Sequence, residues 1–587
     1  DGKQECFWYR STVRGESLDA TIDAVIEHAL SRLPIAKPMQ YQLSDGHTTV
    51  SFVRPVHGLV VLHGARLVDA SVLGLRSGRT TRGHRFQSEG PIAIADAASY
   101  ERTLESQGRV LASFDVRRGR IDALLRERAD ALGASLGDES QVAALLDEVT
   151  ALVEWPAVYV GEFEREFLQV PQECLILTMR TNQKYFPLFE ADGRLLPKFL
   201  IVSNMAVDDP RFIVDGNQRV VRPRLADARF FYEQDRKTPL AARVGQLASV
   251  VYHAKLGTQG QRVERVRAIA REVATMLHAD AALADRAALL AKTDLLTGMV
   301  GEFPELQGVM GAYYARHDGE PDAVARAIAE QYLPRFAGDA LPASETGTVL
   351  ALADKLETLA GLFGIGQQPS GDKDPFALRR HALGVIRMLV EHRLELPLNA
   401  LVDASFRAFG ERVAHAHAEL ETFFYERLAG YLRERGFASQ EIAAVVDQRP
   451  AQLALVPARL DAVREFSRLP EAEALAAANK RIVNILRKAG DGIGGAVDRT
   501  LLVEPAERAL ADRIAELRPQ VEARMAAADF TGAMTLMAKA REPVDRFFDG
   551  VMVMADDDRV RANRLALLSG LRHLMNQVAD ISKLSPA

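Results

Sequence analysis

The chain has 587 residues, of which 73 are basic and 79 acidic. At roughly 150 residues per domain that length implies about three or four domains and excludes a single small binding module. A formal charge of −6 gives no global attraction to nucleic acid or membrane, so any polyanion site must be a local patch. Two cysteines only, Cys6 and Cys174, exclude a disulfide framework and a Cys-based zinc site, and they predict a cytoplasmic protein.

No window approaches the roughly 18 to 20 uncharged apolar residues of a membrane span. The first residue is Asp1 and the text after it lacks the succession of a secretory signal, so an amino-terminal segment is expected to be missing. A helical period over 18–33 is stopped by Pro34. Short apolar runs at 50–53, 59–62 and 70–75, separated by Gly58, Gly64 and Gly74, predict a small sheet. The charge-rich text from 96 to 153 predicts a helical pair inserted into an α+β unit, and 155–160 returns to strand. Residues 185–189 and 198–203 flank Asp192-Gly193 and predict a hairpin. Beyond about 240, apolar residues recur three and four apart, which predicts an all-helical carboxyl-terminal half. The expected fold class is multidomain α+β, divided into an amino-terminal α+β region at 1–240 and helical domains at 241–398 and 399–587.

Phosphate-loop, HExxH, GxSxG and kinase motifs are absent. The literal GxGxxG at Gly490, Gly492 and Gly495 follows a helix instead of a strand and reads as a helix stop. The region 240–390 resembles an HD phosphohydrolase domain, whose metal site takes a first His, a His-Asp pair and a later Asp. Asp354 fits the later position, but the pair is replaced by Lys292-Thr293-Asp294, and a lysine ammonium pairs with a carboxylate where a cation would bind. His317-Asp318 precedes Gly319 and reads as a turn. Asp294 and Asp354 are thus expected to be degenerate positions with no metal chemistry.

Four patches concentrate positive charge. Arg76, Arg79, Arg82 and Arg85 recur every third residue in a glycine-containing loop, which suits either phosphate wrapping or plain solvation. Arg219, Arg222 and Arg224 lie near Phe230 and Phe231, a mixture that suits RNA contact unless the aromatics are core. At 371–380, Asp372 or Asp374 can cap a helix opened by Pro375, with Arg379 and Arg380 paired to these aspartates. On a helix through 475–488, Leu475, Ala478, Ile482, Ile485 and Leu486 form an apolar stripe. Lys480, Asn484, Arg487 and Lys488 gather opposite it with Arg481 at the border, a cationic face without acids that suits RNA. Asn479, beside the apolar stripe, predicts a helix-helix hydrogen bond.

The stretches RPVHGLVVLHG (54–64), RTTRGHRF (79–86), LVEWP (152–156), NQKYFPLF (182–189), RVVRPRLADARFF (219–231), QGVMGAYYARHDGE (307–320), FGIGQQPSGDKDPFALRR (363–380), LAAANKRIVNIL (475–486) and REPVDRFFDGVMVMADD (541–557) resemble the β-subunit family of bacterial heterotetrameric glycyl-tRNA synthetases. The resemblance implies an α2β2 ligase whose α subunit activates glycine with ATP and Mg2+, while the β subunit supplies most tRNA recognition and carries neither cofactor nor complete catalytic site. It also implies that 399–587 is similar to the anticodon-binding domain of arginyl-tRNA synthetase, and that the amino-terminal region is similar to the B3/B4 domain of the phenylalanyl enzyme. The other readings are a metal-dependent HD-type phosphohydrolase, which Lys292 argues against, and a purely architectural scaffold.

Overall fold

The computed structural model describes residues 9–12, 15–35, 37–490 and 496–585. The chain divides into two compact units at the Phe230–Phe231 junction. Cys6, Gly492 and Gly495 lie outside the described residues.

In the first unit the single small sheet expected before residue 94 is instead one three-stranded and three two-stranded sheets. The glycines interrupt pairing too often for one sheet to grow. Strand β1 (Leu75–Gly78) sits centrally in the three-stranded piece, and β2 (Thr80–Arg82) starts a separate hairpin. The inserted text folds mainly as helices α1 (Phe114–Ala131) and α2 (Glu139–Thr150), capped by the side chains of Ser113 and Asp138. Strands β3 (Ala157–Glu162), β4 (Phe186–Phe189) and β5 (Leu195–Ser203) form an antiparallel sheet in the order β3-β5-β4. Ile121 and Leu125 of α1 and Leu146 of α2 pack with Val158, Phe186, Leu188 and Leu200 of that sheet. Fully burying an aliphatic side chain of this size contributes about 1.5–3 kcal/mol, so the insertion belongs to the core of this unit.

Helix α3 (Arg211–Asp235) spans 25 residues despite Pro223 in its interior. Proline donates no hydrogen bond, so the ladder lacks one rung there. The second unit is otherwise built almost wholly from helices. Its centre is α4 (Gln259–Leu277), α5 (Ala281–Leu290), α6 (Glu345–Gly364) and α7 (Leu378–Glu391). In α6 every residue from Thr346 to Gly364 is buried. A helix apolar all round is an interior element, not a surface one. Toward the carboxyl end, α8 (Ala472–Ala489) packs against α9 (Arg541–Gly550), α10 (Asp558–Met575) and the short turn Ile581–Leu584. Among the described residues no helix is long and apolar enough to cross a membrane.

Candidate nucleic-acid interface

Helix α8 presents two distinct sides. Leu475, Ile482 and Leu486 are buried, and Ala478 and Ile485 are half-buried. Lys480, Arg481, Asn484, Arg487 and Lys488 are all exposed. After Glu473 the helix carries no acidic residue, and Arg487 and Lys488 in the last turn are favoured by the negative end of the helix dipole. Arg487 Nη2 donates to Asn484 Oδ1 at 3.0 Å, while the Arg481 guanidinium lies 4.4 Å from the centroid of the Phe548 ring on α9. A stacked guanidinium keeps its charge and its edge donors. Asn479 is wholly buried and its Nδ2 donates to Asn576 Oδ1 at 2.8 Å, giving the expected hydrogen bond to the end of α10. Gly490 ends α8 at φ +87°, as a helix stop should.

The arginines at 76–85 are not on one loop. Arg76 lies on β1 and pairs through Nε and Nη2 with Asp69, both contacts at 2.9 Å. Arg79 sits between β1 and β2, donating to the carbonyls of Ala95 and Ala65. Arg82 and Arg85 are exposed, with Arg85 5.6 Å from the centroid of the Phe86 ring. The fixed point is His84, which is buried. Its Nδ1 accepts from the amides of Phe86 and Gln87, so Nε2 carries the proton toward Asn204 O at 2.5 Å. Gly83 has to be glycine, because a Cβ there would lie 2.4 Å from the carbonyl oxygen of Gly108. Arg76 and Arg79 are thus largely committed to the fold, while Arg82 and Arg85 face outward.

On α3, Arg219 pairs with Asp215 at 2.7 Å and Arg222 with Glu164 at 2.6 Å, whereas Arg224 is exposed. Phe230 is 57 % exposed and Phe231 is half-buried, so neither is a core residue. At 371–380 the cap is Asp374, whose carboxylate accepts from the amides of Leu378 and Arg379. Pro375 does not open the helix: Ala377 takes a left-handed φ of +55° and α7 begins at Leu378. The Arg379 and Arg380 side chains pair with neither aspartate; Arg379 donates to the Gly371 carbonyl instead.

Lys292, Asp294 and Asp354, expected to be degenerate metal positions, lie in a buried ionic centre. Lys292 places its ammonium 2.9 Å from Asp354 Oδ1 and 4.1 Å from the centroid of the Tyr332 ring. Arg262 reaches Asp354 at 3.0 Å and Glu357 at 3.1 Å, and Arg265 reaches Glu357 at 2.8 Å. Burial works against ionised Asp354, but Arg262 and Lys292 overcome it and hold the carboxyl well below its usual range. Burial pushes Lys292 down to about 8 against the pull of Asp354. Asp294 is not the partner of its neighbour's ammonium. Its Oδ2 accepts from the Gly308 and Gly311 amides at 2.6 and 3.2 Å, and burial raises its pKa to about 6. Two cations thus stand on the carboxylate a metal would need. His317 lies in the last turn of its helix with Nδ1 3.0 Å from Arg236 Nη2, and Asp318 accepts from the Leu240 amide.

Sequence reasoning missed Arg262, Arg265 and Glu357, which complete this centre. One signal was present: beyond its first residue the text of α6 is apolar on nearly every side, so the three charged residues within that stretch, Asp354, Lys355 and Glu357, had to be buried and partnered. For Arg262 and Arg265 no local pattern exists, since they lie on the otherwise amphipathic α4 some 90 residues upstream.

The family profile described as "DALR anticodon binding domain" matches residues 475–586, which contain α8 and its basic face. Together with the profile that matches most of the rest of the chain, this places it among the aminoacyl-tRNA synthetase subunits. A second profile, "Glycyl-tRNA synthetase beta subunit", matches residues 1–447, and the chain belongs to that family. Among similar curated proteins is the glycine–tRNA ligase beta subunit of Thiobacillus denitrificans, 56 % identical over 590 aligned positions that cover 100 % of this chain and 84 % of the relative. That of Ralstonia nicotianae is 56 % identical over 588 positions, covering 100 % and 83 %. The counterpart from Janthinobacterium is 55 % identical over 586, covering 100 % and 84 %. The alternative of an HD-type phosphohydrolase is withdrawn: the relatives carry a ligase name, and Lys292 and Arg262 occupy Asp354.

Proposed function

We propose that this chain is the tRNA-gripping β subunit of an α2β2 glycine–tRNA ligase and leaves bond formation to the α subunit. The observation that carries the reading is the acid-free, outward face of α8, with Lys480, Asn484, Arg487 and Lys488 exposed inside the region that matches an anticodon-binding domain. Cations on one helix face neutralise successive phosphates and release their counterions, while the Asn484 amide and the stacked Arg481 offer directional donors. Arg82, Arg85 and Arg224 extend the same chemistry to the first unit, and the committed pairs of Arg76, Arg79, Arg219 and Arg222 give those residues a smaller share.

Binding far from the reacting ester positions the terminal adenosine of tRNA(Gly) at the α subunit, which is catalysis by orientation. ATP and Mg2+ are used at α, and the assembly works in the cytoplasm. The test is reconstitution of glycine charging from this chain, its α partner and tRNA(Gly), each left out in turn. Charging should vanish without β while α alone still forms glycyl adenylate; adenylate formation by this chain unaided would overturn the reading.

A further inference from the structure

Next to the ionic centre lies a cavity of about 580 Å3 between the start of α7, the middle of α6 and the segment 332–335. Lys355 reaches it from α6, itself only 2 % exposed. Its Nζ donates to Leu333 O at 2.7 Å and to Tyr332 O at 3.3 Å. An ammonium has three protons, so one remains. The lysine stem runs over Gly384 of α7, where a Cβ would lie 2.8 Å from Lys355 Cε, so a larger residue there would displace the lysine from this position.

Two more donors line the same space. His381 Nδ1 is buried and has no hydrogen-bond partner. Burial, then the neighbouring Lys355, push this ring down to about 4, so it is neutral near pH 7 and keeps one N–H to donate. Arg380 stands exposed at the rim and makes no hydrogen bond or ion pair among the described residues. Arg335, also on the wall, is held by Asp339 at 2.9 Å. Glu305 is the single carboxylate of the lining. Tyr332, Leu333 and Pro334 adjoin Lys355 and supply most of the apolar and aromatic lining on that side.

The balance favours an anion, and three separate donors suit the three peripheral oxygens of a phosphate better than the two of a carboxylate. The volume falls in the range of about 300–1,000 Å3 that holds small organic ligands, well beyond a bare ion. We propose that this cavity binds a phosphate-bearing molecule of nucleotide size, its terminal phosphate against Lys355, His381 and Arg380 and its body against Tyr332, Leu333 and Pro334. The phosphate has two sources of the same chemistry, a free phosphomonoester or the 5′ end of an RNA.

The test is titration calorimetry on the full chain with 5′-AMP, adenosine and a short 5′-phosphorylated RNA. Saturable binding of 5′-AMP is expected, with adenosine at least tenfold weaker. Arg380→Glu, on an exposed side chain that the fold does not need, should weaken 5′-AMP at least tenfold, and Lys355→Met should do so where the variant remains folded. If the RNA outbinds 5′-AMP and responds to Arg380→Glu, the phosphate is an RNA end; if 5′-AMP is tighter, it is a free metabolite. No saturable binding of either probe, equal binding of adenosine, or indifference to Arg380→Glu would overturn the site.

Discussion

Lys292 holds its ammonium 2.9 Å from the Asp354 carboxylate with both side chains almost wholly withdrawn from water. Arg262 approaches the same oxygen at 3.0 Å. The arrangement is closed by Tyr252, whose ring centroid lies 4.4 Å from the Arg262 guanidinium, and by Tyr332 over Lys292. Protein cations thus neutralise the Asp354 carboxylate inside the fold.

Removing one partner of such a pair leaves a charge buried without compensation, which costs about 3–5 kcal/mol. Asp354→Asn should therefore lower the unfolding free energy of the second unit by about 3–5 kcal/mol, with a correspondingly lower urea midpoint. A midpoint within experimental error of the parent would show that the centre is hydrated and not dry.

Asp294 gives a pH signature. Its folded pKa of about 6 stands above the ordinary 3.8, so its contribution to stability is complete below about 3.8 and is lost as pH rises through about 6. Asp294→Asn keeps an acceptor for Gly308 and Gly311 but cannot ionise. Relative to that variant, the parent should lose roughly 2 kcal/mol between pH 4 and 7. Thermal melts of the two proteins over that range test it, and a constant difference would refute the burial argument.

On α8, the triple charge reversal Lys480→Glu, Arg487→Glu and Lys488→Glu should weaken tRNA binding. It should also reduce the slope of log K against log salt by about 0.7–0.9 for each phosphate that is no longer neutralised. Fluorescence anisotropy with labelled tRNA(Gly) at several salt concentrations reads both. An unaltered slope removes this face from the interface.

Asn479→Leu deletes the donor to Asn576, whose Oδ1 also accepts the Ile581 amide at 3.2 Å. The oxygen keeps the Ile581 amide, so the change removes one of its two hydrogen bonds, worth about 0.5–1.5 kcal/mol. Hydrogen exchange of the amides at 576–585 should accelerate, and protection equal to the parent would mean the bond holds nothing in place.

Gly83→Ala should destabilise the first unit, since its methyl would run into the Gly108 backbone, which cannot rotate away as a side chain could. A lowered melting transition with loss of the His84 to Asn204 hydrogen bond is expected; an unshifted melt would show that this close approach can relax.

Much of the architecture was legible without coordinates because it is written in local periodicity. The hairpin across Asp192-Gly193, the helical pair packed on its sheet, and the two-sided character of α8 all follow from spacing of two or of three and four, which a short window reveals. What stayed hidden depends on distance along the chain. Phe230 reads as core by composition, yet the packing leaves it exposed; Arg76 and Arg79 read as free cations, yet Asp69 and two carbonyls hold them.

The amino-acid order alone determined most helical and strand segments, the absence of familiar catalytic motifs and the presence of a lysine, Lys292, two residues before Asp294. Only the tertiary structure decided that Lys292 serves Asp354 rather than Asp294, that Arg262 and Arg265 complete the centre, and that Lys355 and His381 share a cavity. The reason is physical: secondary structure answers to neighbours within a few residues, whereas a buried charge is governed by whichever opposite charge the packed helices bring within about 3 Å, and that choice is made across dozens of residues at once.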